Sequence, residues 1–244
     1  MTERLARALI VAHETRVATM PSDDTPQTAD EAYDVQRRVI RYFGPPGGFK
    51  TGQQGSAPRI VAPIRGDRVY ESGAEIRADG ALGIELEIGF RILEMAGRDL
   101  VRRAEPVVAL ELVQSRIAGP RAAEALVKLA DLQINWGLVV GETAPDWGGG
   151  DDSTVRGRLV MGSRVVLDGA AAVQGGSALR SLSAAAKLAA REHDGLVPGQ
   201  VVITGSLNPL VWAEPGTRIE GWIEGIGTVA AQLRETRVLG RGEG

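Results

Sequence analysis

Three glutamates frame the chemistry open to this chain. Glu85 and Glu87 lie two apart in residues 84–92, where Leu86, Ile88, Phe90 and Ile92 alternate with Glu85, Glu87, Gly89 and Arg91. A period of two predicts a strand and turns both carboxylates to one face. Glu111 interrupts residues 107–113, a run that is otherwise apolar on both faces. That run reads as a second, buried strand. A buried carboxylate must be paired, protonated or bound to metal. If the two strands lie side by side, the three carboxylates converge. An all-oxygen set suits a hard dication, Mg²⁺ first, then Mn²⁺ or Ca²⁺. The chain has no cysteine and two histidines, His13 and His193, at no paired spacing. Disulfides, iron–sulfur clusters and a cysteine nucleophile are therefore excluded, and zinc is disfavoured. Two plainer readings compete. A half-exposed sheet produces the same Glu85/Glu87 alternation, and Arg116 or Arg91 can pair with Glu111.

Lys50 follows a Gly-rich break and precedes Gly52. A loop lysine is usually a solvated surface group. Its functional reading is a cation facing an anionic substrate, or a proton carrier with a lowered pKa. Ser115 and Arg116 just past Glu111 offer a hydroxyl and a guanidinium. Gln36, at the edge of a helical stripe, is either a boundary residue or a substrate contact. No nucleotide site is encoded: Gly225-Ile226-Gly227 lacks a third glycine, and Gly148-Gly149-Gly150 lacks the Lys and Ser/Thr of a phosphate loop. A Gly-x-Ser-x-Gly elbow is absent as well.

The elements that must position these residues follow from periodicity and punctuation. Leu5, Leu9 and Ala12 form one helical face, ended by a polar loop at residues 21–26. Thr28, three residues before Glu31, is a capping-box signature for a helix through Ala32, Val35, Val39 and Phe43. Residues 44–48, Gly-Pro-Pro-Gly-Gly, break it. Pro120 opens a helix through Ala122, Ala125, Leu126 and Leu129. Residues 136–141 predict a strand, 145–153 a loop, and 156–173 a hairpin turning at Asp168-Gly169. Leu179, Leu182, Ala186 and Ala189 mark a last helix stopped at Gly195. Pro198-Gly199 turns into a strand at 201–204, and strands at 218–224 and 228–233 finish the fold before a frayed tail at 240–244. Strict βαβ alternation is missing, which favours α+β with a large mixed sheet over a doubly wound one.

Composition supports one soluble domain. The chain has 244 residues, 28 Lys+Arg against 31 Asp+Glu, and a formal net charge of -3. No basic block marks a nucleic-acid footprint, and no apolar run approaches the roughly 20 residues that a membrane helix needs. Glu3, Arg4 and Arg7 interrupt what would be the core of a secretion signal, so the expected address is cytoplasmic.

Several segments, in order along the chain, resemble the fumarylacetoacetate hydrolase superfamily. They are Ala32-Tyr33-Asp34-Val35-Gln36, Gly48-Phe49-Lys50-Thr51-Gly52, Glu85-Leu86-Glu87-Ile88-Gly89-Phe90 and the stretch from Ala109 through Glu111 to Ile117. Ala130-Asp131 through Asn135-Trp136-Gly137 to Gly141, and residues 199–206 ending in Thr204-Gly205-Ser206, complete the set. Within the superfamily they most resemble the branch of 2-keto-4-pentenoate hydratases and 2-oxo-3-hexenedioate decarboxylases. The chain departs from the pattern where Phe49 replaces Trp, around residues 65–73, where no acidic counterpart is assigned, and around residues 169–177.

The resemblance implies a mixed β-roll or sandwich with peripheral helices, residues 1–45 forming a helical segment packed on a roll at 46–239. It matches Glu85, Glu87 and Glu111 to the family's metal-binding carboxylates and Lys50 to its active-site lysine. It implies a Mg²⁺-dependent lyase of aromatic catabolism acting on a short 2-oxo or 2-hydroxydienoic acid, with hydratase-like chemistry first and decarboxylation as the alternative. Gln36, Ser115, Thr204, Gly205 and Ser206 are the expected substrate contacts. A C–C hydrolase of acylpyruvates ranks lower, because such relatives use a histidine to activate water and none lies near Lys50 in sequence. An inactive metal-binding scaffold is the non-enzymatic alternative. A homo-oligomer, and a complex with a pathway enzyme, are the expected assemblies, with no nucleic acid and no membrane as partner.

Overall fold

The computed structural model describes residues 2–20, 25–53, 59–146 and 153–236. Two helices open the chain, α1 (Thr2–Thr15) and α2 (Ala29–Phe43). Four strands follow: β1 (Pro46–Gly52), β2 (Ile60–Arg65), β3 (Val69–Glu71) and β4 (Ala74–Ala78). The two longest strands come next, β5 (Leu82–Met95) and β6 (Val101–Val113). A short α3 (Ala125–Ala130) leads to β7 (Asn135–Thr143), β8 (Thr154–Met161) and β9 (Arg164–Ala172). After α4 (Ala178–Glu192), β10 (Val201–Ser206), β11 (Val211–Ala213), β12 (Arg218–Ile223) and β13 (Gly227–Glu235) complete the fold.

The strands form two mixed sheets. One runs β2-β1-β10-β5-β6-β7-β3, with β11 added against β5, and the other runs β4-β13-β12-β8-β9. Leu86 and Leu110 of the first sheet share one core with Ile219, Ile223 and Val229 of the second. The helical stripes join the same core through Leu5 and Leu9, Ala32, Val35 and Val39, and Leu182, Ala186 and Ala189. The fold is α+β, a mixed β-roll with helices outside, as the sequence predicts.

Local signals act largely as expected. The Thr28 hydroxyl accepts from the Glu31 amide at 3.2 Å, while the Glu31 carboxylate reaches back to the Gln27 amide at 2.7 Å. Together they satisfy two donors that the helix start leaves free. Gly195 stands just beyond α4, with a positive φ of 84°, and donates to the Ala189 carbonyl at 3.1 Å.

Four expectations need correction. The hairpin turns at Gly162-Ser163, between β8 and β9, and Asp168-Gly169 lies inside β9. The register of the paired strands outweighs the turn preference of a lone Asp-Gly. Pro120 opens only a 3₁₀ turn (Pro120–Ala123), and α3 starts separately at Ala125. Around Glu85 and Glu87, β5 is covered on both faces, not half-exposed, because the second sheet packs on the Leu86 face and the curled first sheet closes over the other, where Val107, Ala109, Val201 and Ile203 meet Ile64, Leu138 and Val140. The Gly-rich stretch after α2 is a strand, β1, parallel to β10 and antiparallel to β2. The glycine triplet at 148–150, part of the 21–26 loop and the tail at 240–244 lie outside the described residues.

Gly48 explains why β1 escapes pattern reading. A Cβ there would stand 2.0 Å from the Val201 carbonyl oxygen of β10, so only glycine lets these backbones pair. Gly48→Ala is expected to destabilise the protein by about 3 kcal/mol, the upper part of the overpacking range. Thermal or urea unfolding checks it, with Gly52→Ala, whose Cβ meets nothing within 4 Å, expected to stay near the parent. Equal stability of the two variants would contradict the assignment.

Candidate metal centre

The centre is built on the β5–β6 ladder, where Glu85 stands directly opposite Glu111. Glu87, two residues along β5, shares their face. One oxygen from each of the three carboxylates lies within 4.8 Å of the others. Glu87 and Glu111 are buried and Glu85 is half-buried, so the cluster opens at Glu85.

β10 lies on the other side of β5, and its register slips between Ile203 and Ser206. The irregularity turns the Gly205 amide onto Glu87 Oε2 at 2.6 Å. A Cβ at Gly205 would stand 2.7 Å from Gln174 Oε1, and its φ is 121°, so a side chain there would obstruct the turn that delivers this donor. β1, next to β10, carries Lys50 opposite Ile203. The Lys50 ammonium reaches Glu111 Oε1 at 2.6 Å, with 12% of its side chain exposed against 0% for Glu111. Glu111 thus pairs with Lys50, not with Arg91 or Arg116.

Glu111 Oε1 also accepts from Asn135 Nδ2 at 2.7 Å. Its other oxygen, Oε2, is buried with no hydrogen-bond partner. Asn135 follows three consecutive left-handed residues, Leu132 (φ 50°), Gln133 (φ 52°) and Ile134 (φ 57°). Each costs about 1–2 kcal/mol outside glycine. The Gln133 carbonyl faces the Lys50 ammonium at 3.4 Å. Arg116 closes this turn from behind. It donates to the Asp131 carbonyl and the Asn135 carbonyl, both at 2.6 Å, and pairs with the Asp131 carboxylate at 2.7 Å.

Electrostatics follow from burial. Desolvation first, then the charge on Glu111, pushes the Glu85 carboxyl up to about 7. Burial, then Glu111 and Glu85, raises Glu87 well above the usual carboxylate range. For Lys50, burial works against the charge, but Glu111, Glu85 and Glu87 together leave its ammonium held above its ordinary value. With the three carboxylates beside it, burial does not lower the Lys50 pKa.

The remaining sequence candidates divide. Ser206 stands beside Glu85, but its hydroxyl donates to the Asn208 carbonyl at 2.6 Å and accepts from the Asn208 amide at 3.2 Å. The Thr204 hydroxyl is spent on the Ile88 carbonyl at 2.8 Å. The Gln36 amide is fully buried and bonds the Leu129 carbonyl and His193 Nε2, so it ties α2 to α3 and the end of α4. Ser115 binds the Ile117 carbonyl and Asp131, and borders a separate cavity of about 230 Å³ with His13, Arg68 and Trp136. Asn135 and the Gln133 carbonyl were not singled out by residue type. The available signal was a polar side chain at the head of an apolar strand.

Histidine stands apart from this centre. The His13 ring packs on Phe43 and the His193 ring on Phe49 and Tyr33. No helix among the described residues is long and apolar enough to cross a membrane.

No family model matches the chain. A 4-oxalocrotonate decarboxylase from a Pseudomonas species is 25% identical over 253 residues, covering 94% of this chain and 95% of the relative. A 2-keto-4-pentenoate hydratase from Paraburkholderia xenovorans is 30% identical over 168 residues, covering 64% of this chain and 61% of the hydratase. Among solved structures, 4-oxalocrotonate decarboxylase from Pseudomonas putida G7, complexed with magnesium and adipate, superimposes with a TM-score of 0.76 at 19% identity, over 95% of this chain and 96% of that one. The chain thus shares its fold with, and is similar in sequence nearly end to end to, a decarboxylase of the fumarylacetoacetate hydrolase superfamily, and over a shorter stretch it is similar to hydratases of the same superfamily.

Proposed function

We propose that this protein is a divalent-metal-dependent lyase acting on a short 2-oxo or 2-hydroxydienoic acid, by hydration or decarboxylation. The observation that carries the reading is the buried oxygen cluster of Glu85, Glu87 and Glu111, with Glu111 Oε2 unpartnered. Three carboxylates beside one ammonium leave an excess of negative charge that a dication neutralises. The all-oxygen donor set fits Mg²⁺ or Mn²⁺. The magnesium complex of the structurally similar decarboxylase supports the choice.

Glu85, Glu87 and Glu111 would hold the ion. A bound dication supplies Lewis-acid stabilisation of negative charge developing on the substrate's 2-oxygen. The chain's own groups do the rest. Lys50 holds the Glu111 carboxylate in place and, as a cation at the edge of the cluster, would attract and orient a substrate carboxylate. The Gly205 amide sets Glu87, and Ser206 lies beside Glu85. Burial on both faces of β5 keeps bulk water from the ion.

Hydrolysis of an acylpyruvate is less well supported, since neither histidine reaches the cluster and both are held neutral. Burial first, then Arg37, takes His193 down to about 4, and burial with Arg116, Arg65 and Arg68 lowers His13 further. A small 2-oxo acid is the expected partner, and a homo-oligomer the expected assembly.

Glu111→Gln is expected to lower turnover by about three orders of magnitude, the scale of several kcal/mol of charge stabilisation, with no rescue by added Mg²⁺. Ultraviolet absorbance on a panel of 2-hydroxydienoates and acylpyruvates reads the loss, and carbon dioxide release separates decarboxylation from hydration. Full turnover in this variant would overturn the proposal.

A second expectation concerns pH. The folded-state Glu85 carboxyl titrates at about 7 against 4.5 ordinarily, so its stabilising neutral form is complete below about 4.5 and lost as pH rises through 7. A dication needs the ionised form. The Mg²⁺-induced rise in melting temperature should therefore be small at pH 5.5 and grow as pH rises through 7. Taking the increment at each pH removes the opposite trend of the buried histidines. Millimolar oxalate, a bidentate stand-in for a 2-oxo acid, should enlarge it only with Mg²⁺ present. An increment that is absent, or independent of pH, would count against the assignment.

A further inference from the structure

We infer that the left-handed turn Leu132–Ile134, with Asn135 at its end, is a positioning device that reserves Glu111 Oε2 for the dication. The inference rests on the metal reading above and goes beyond it by assigning which oxygen ligates and what enforces it. A free carboxylate can offer a cation either oxygen, or both. Here Oε1 is occupied twice, by the Lys50 ammonium at 2.6 Å and by Asn135 Nδ2 at 2.7 Å. Oε2 is buried and unpartnered. Lys50 alone would not fix the choice, because an ammonium is a point charge that can follow either oxygen. The Asn135 amide is directional, and its backbone is not free to move.

That backbone is held at both ends. Three successive non-glycine residues sit at φ 50°, 52° and 57°, a conformation that side-chain-bearing residues adopt singly, not in runs. Such strain persists only where the surroundings over-determine it. Arg116 supplies the constraint, donating to the carbonyls of Asp131 and Asn135, which bracket the turn. Within the turn, the Gln133 carbonyl faces Lys50. One short segment therefore steadies both partners of the ion pair, and leaves a single Glu111 oxygen for the metal.

Asn135 is a positioning residue, and two measurements test it. The first is Mn²⁺ binding to the metal-free protein, read by the electron paramagnetic resonance of free Mn²⁺. Asn135→Leu, close in size and without the amide, should weaken binding tenfold or more. The second uses the unaltered chain, so it does not depend on a variant folding. Asn135 and Asn208 are the only asparagines, so ¹⁵N-asparagine labelling gives two side-chain amide signals. The Asn135 amide protons should remain protected from exchange with water before and after Mg²⁺ is added.

Release of that amide on adding Mg²⁺ would show that both Glu111 oxygens turn to the ion, and would overturn the inference. Equal Mn²⁺ affinity in Asn135→Leu and the parent would overturn it too, leaving the metal reading intact. A parent that takes up no Mn²⁺ removes the metal reading and this inference together.

Discussion

Three carboxylates share a buried site with one ammonium, and the rest of the structure answers that imbalance. At the 4.8 Å limit of their separation, each pair of ionised carboxylates repels by roughly 3–4 kcal/mol at an effective dielectric constant of about 20. The Lys50–Glu111 pair offsets part of this. Burial, and after it the repulsion that remains, must be met by protons, which is why Glu85 and Glu87 titrate high, or by a cation of charge two. The site is in effect a competition between protons and metal, and without metal the protonated and ionised forms of Glu85 balance near neutral pH.

Building such a site requires strands that pack with no room to spare. The β5–β6 register places Glu85 across from Glu111. The slip in β10 supplies a backbone donor to Glu87. The close approach of β1 to β10 at Gly48 brings Lys50 into reach from two strands away. Each arrangement carries a cost, in a glycine that cannot be replaced, an irregular ladder or a left-handed turn. The shared core of both sheets and the outer helices must offset these costs.

Much of this was legible in the residues. The alternation around Glu85 and Glu87, and the carboxylate interrupting 107–113, predicted two strands and a convergent cluster. The helices at both ends were marked by caps and stripes. Pattern reading failed where tertiary packing overrides local preference. A strand made of Pro-Gly-Gly looks like a breaker, because its glycines serve inter-strand approach, not turning. The Asp168-Gly169 pair looks like a hairpin turn, but strand register placed the turn at Gly162. Partner choice was the other blind spot. Arg116 is nearer to Glu111 in sequence than Lys50 is, yet β-sheet order decides who meets whom, and it sends Arg116 to Asp131. Ser115 leaves the cluster for the same reason, since the chain bends away once β6 ends. The role of Asn135 depends on three dihedral angles that no residue type announces.

The central claim is that a single dication sits among Glu85, Glu87 and Glu111. A crystal of this protein soaked in Mn²⁺ and measured near the manganese absorption edge tests it most directly. The account predicts one anomalous-difference peak within bonding distance of an oxygen from each of the three glutamates. A peak elsewhere, with these carboxylates left to protons and water, would contradict it.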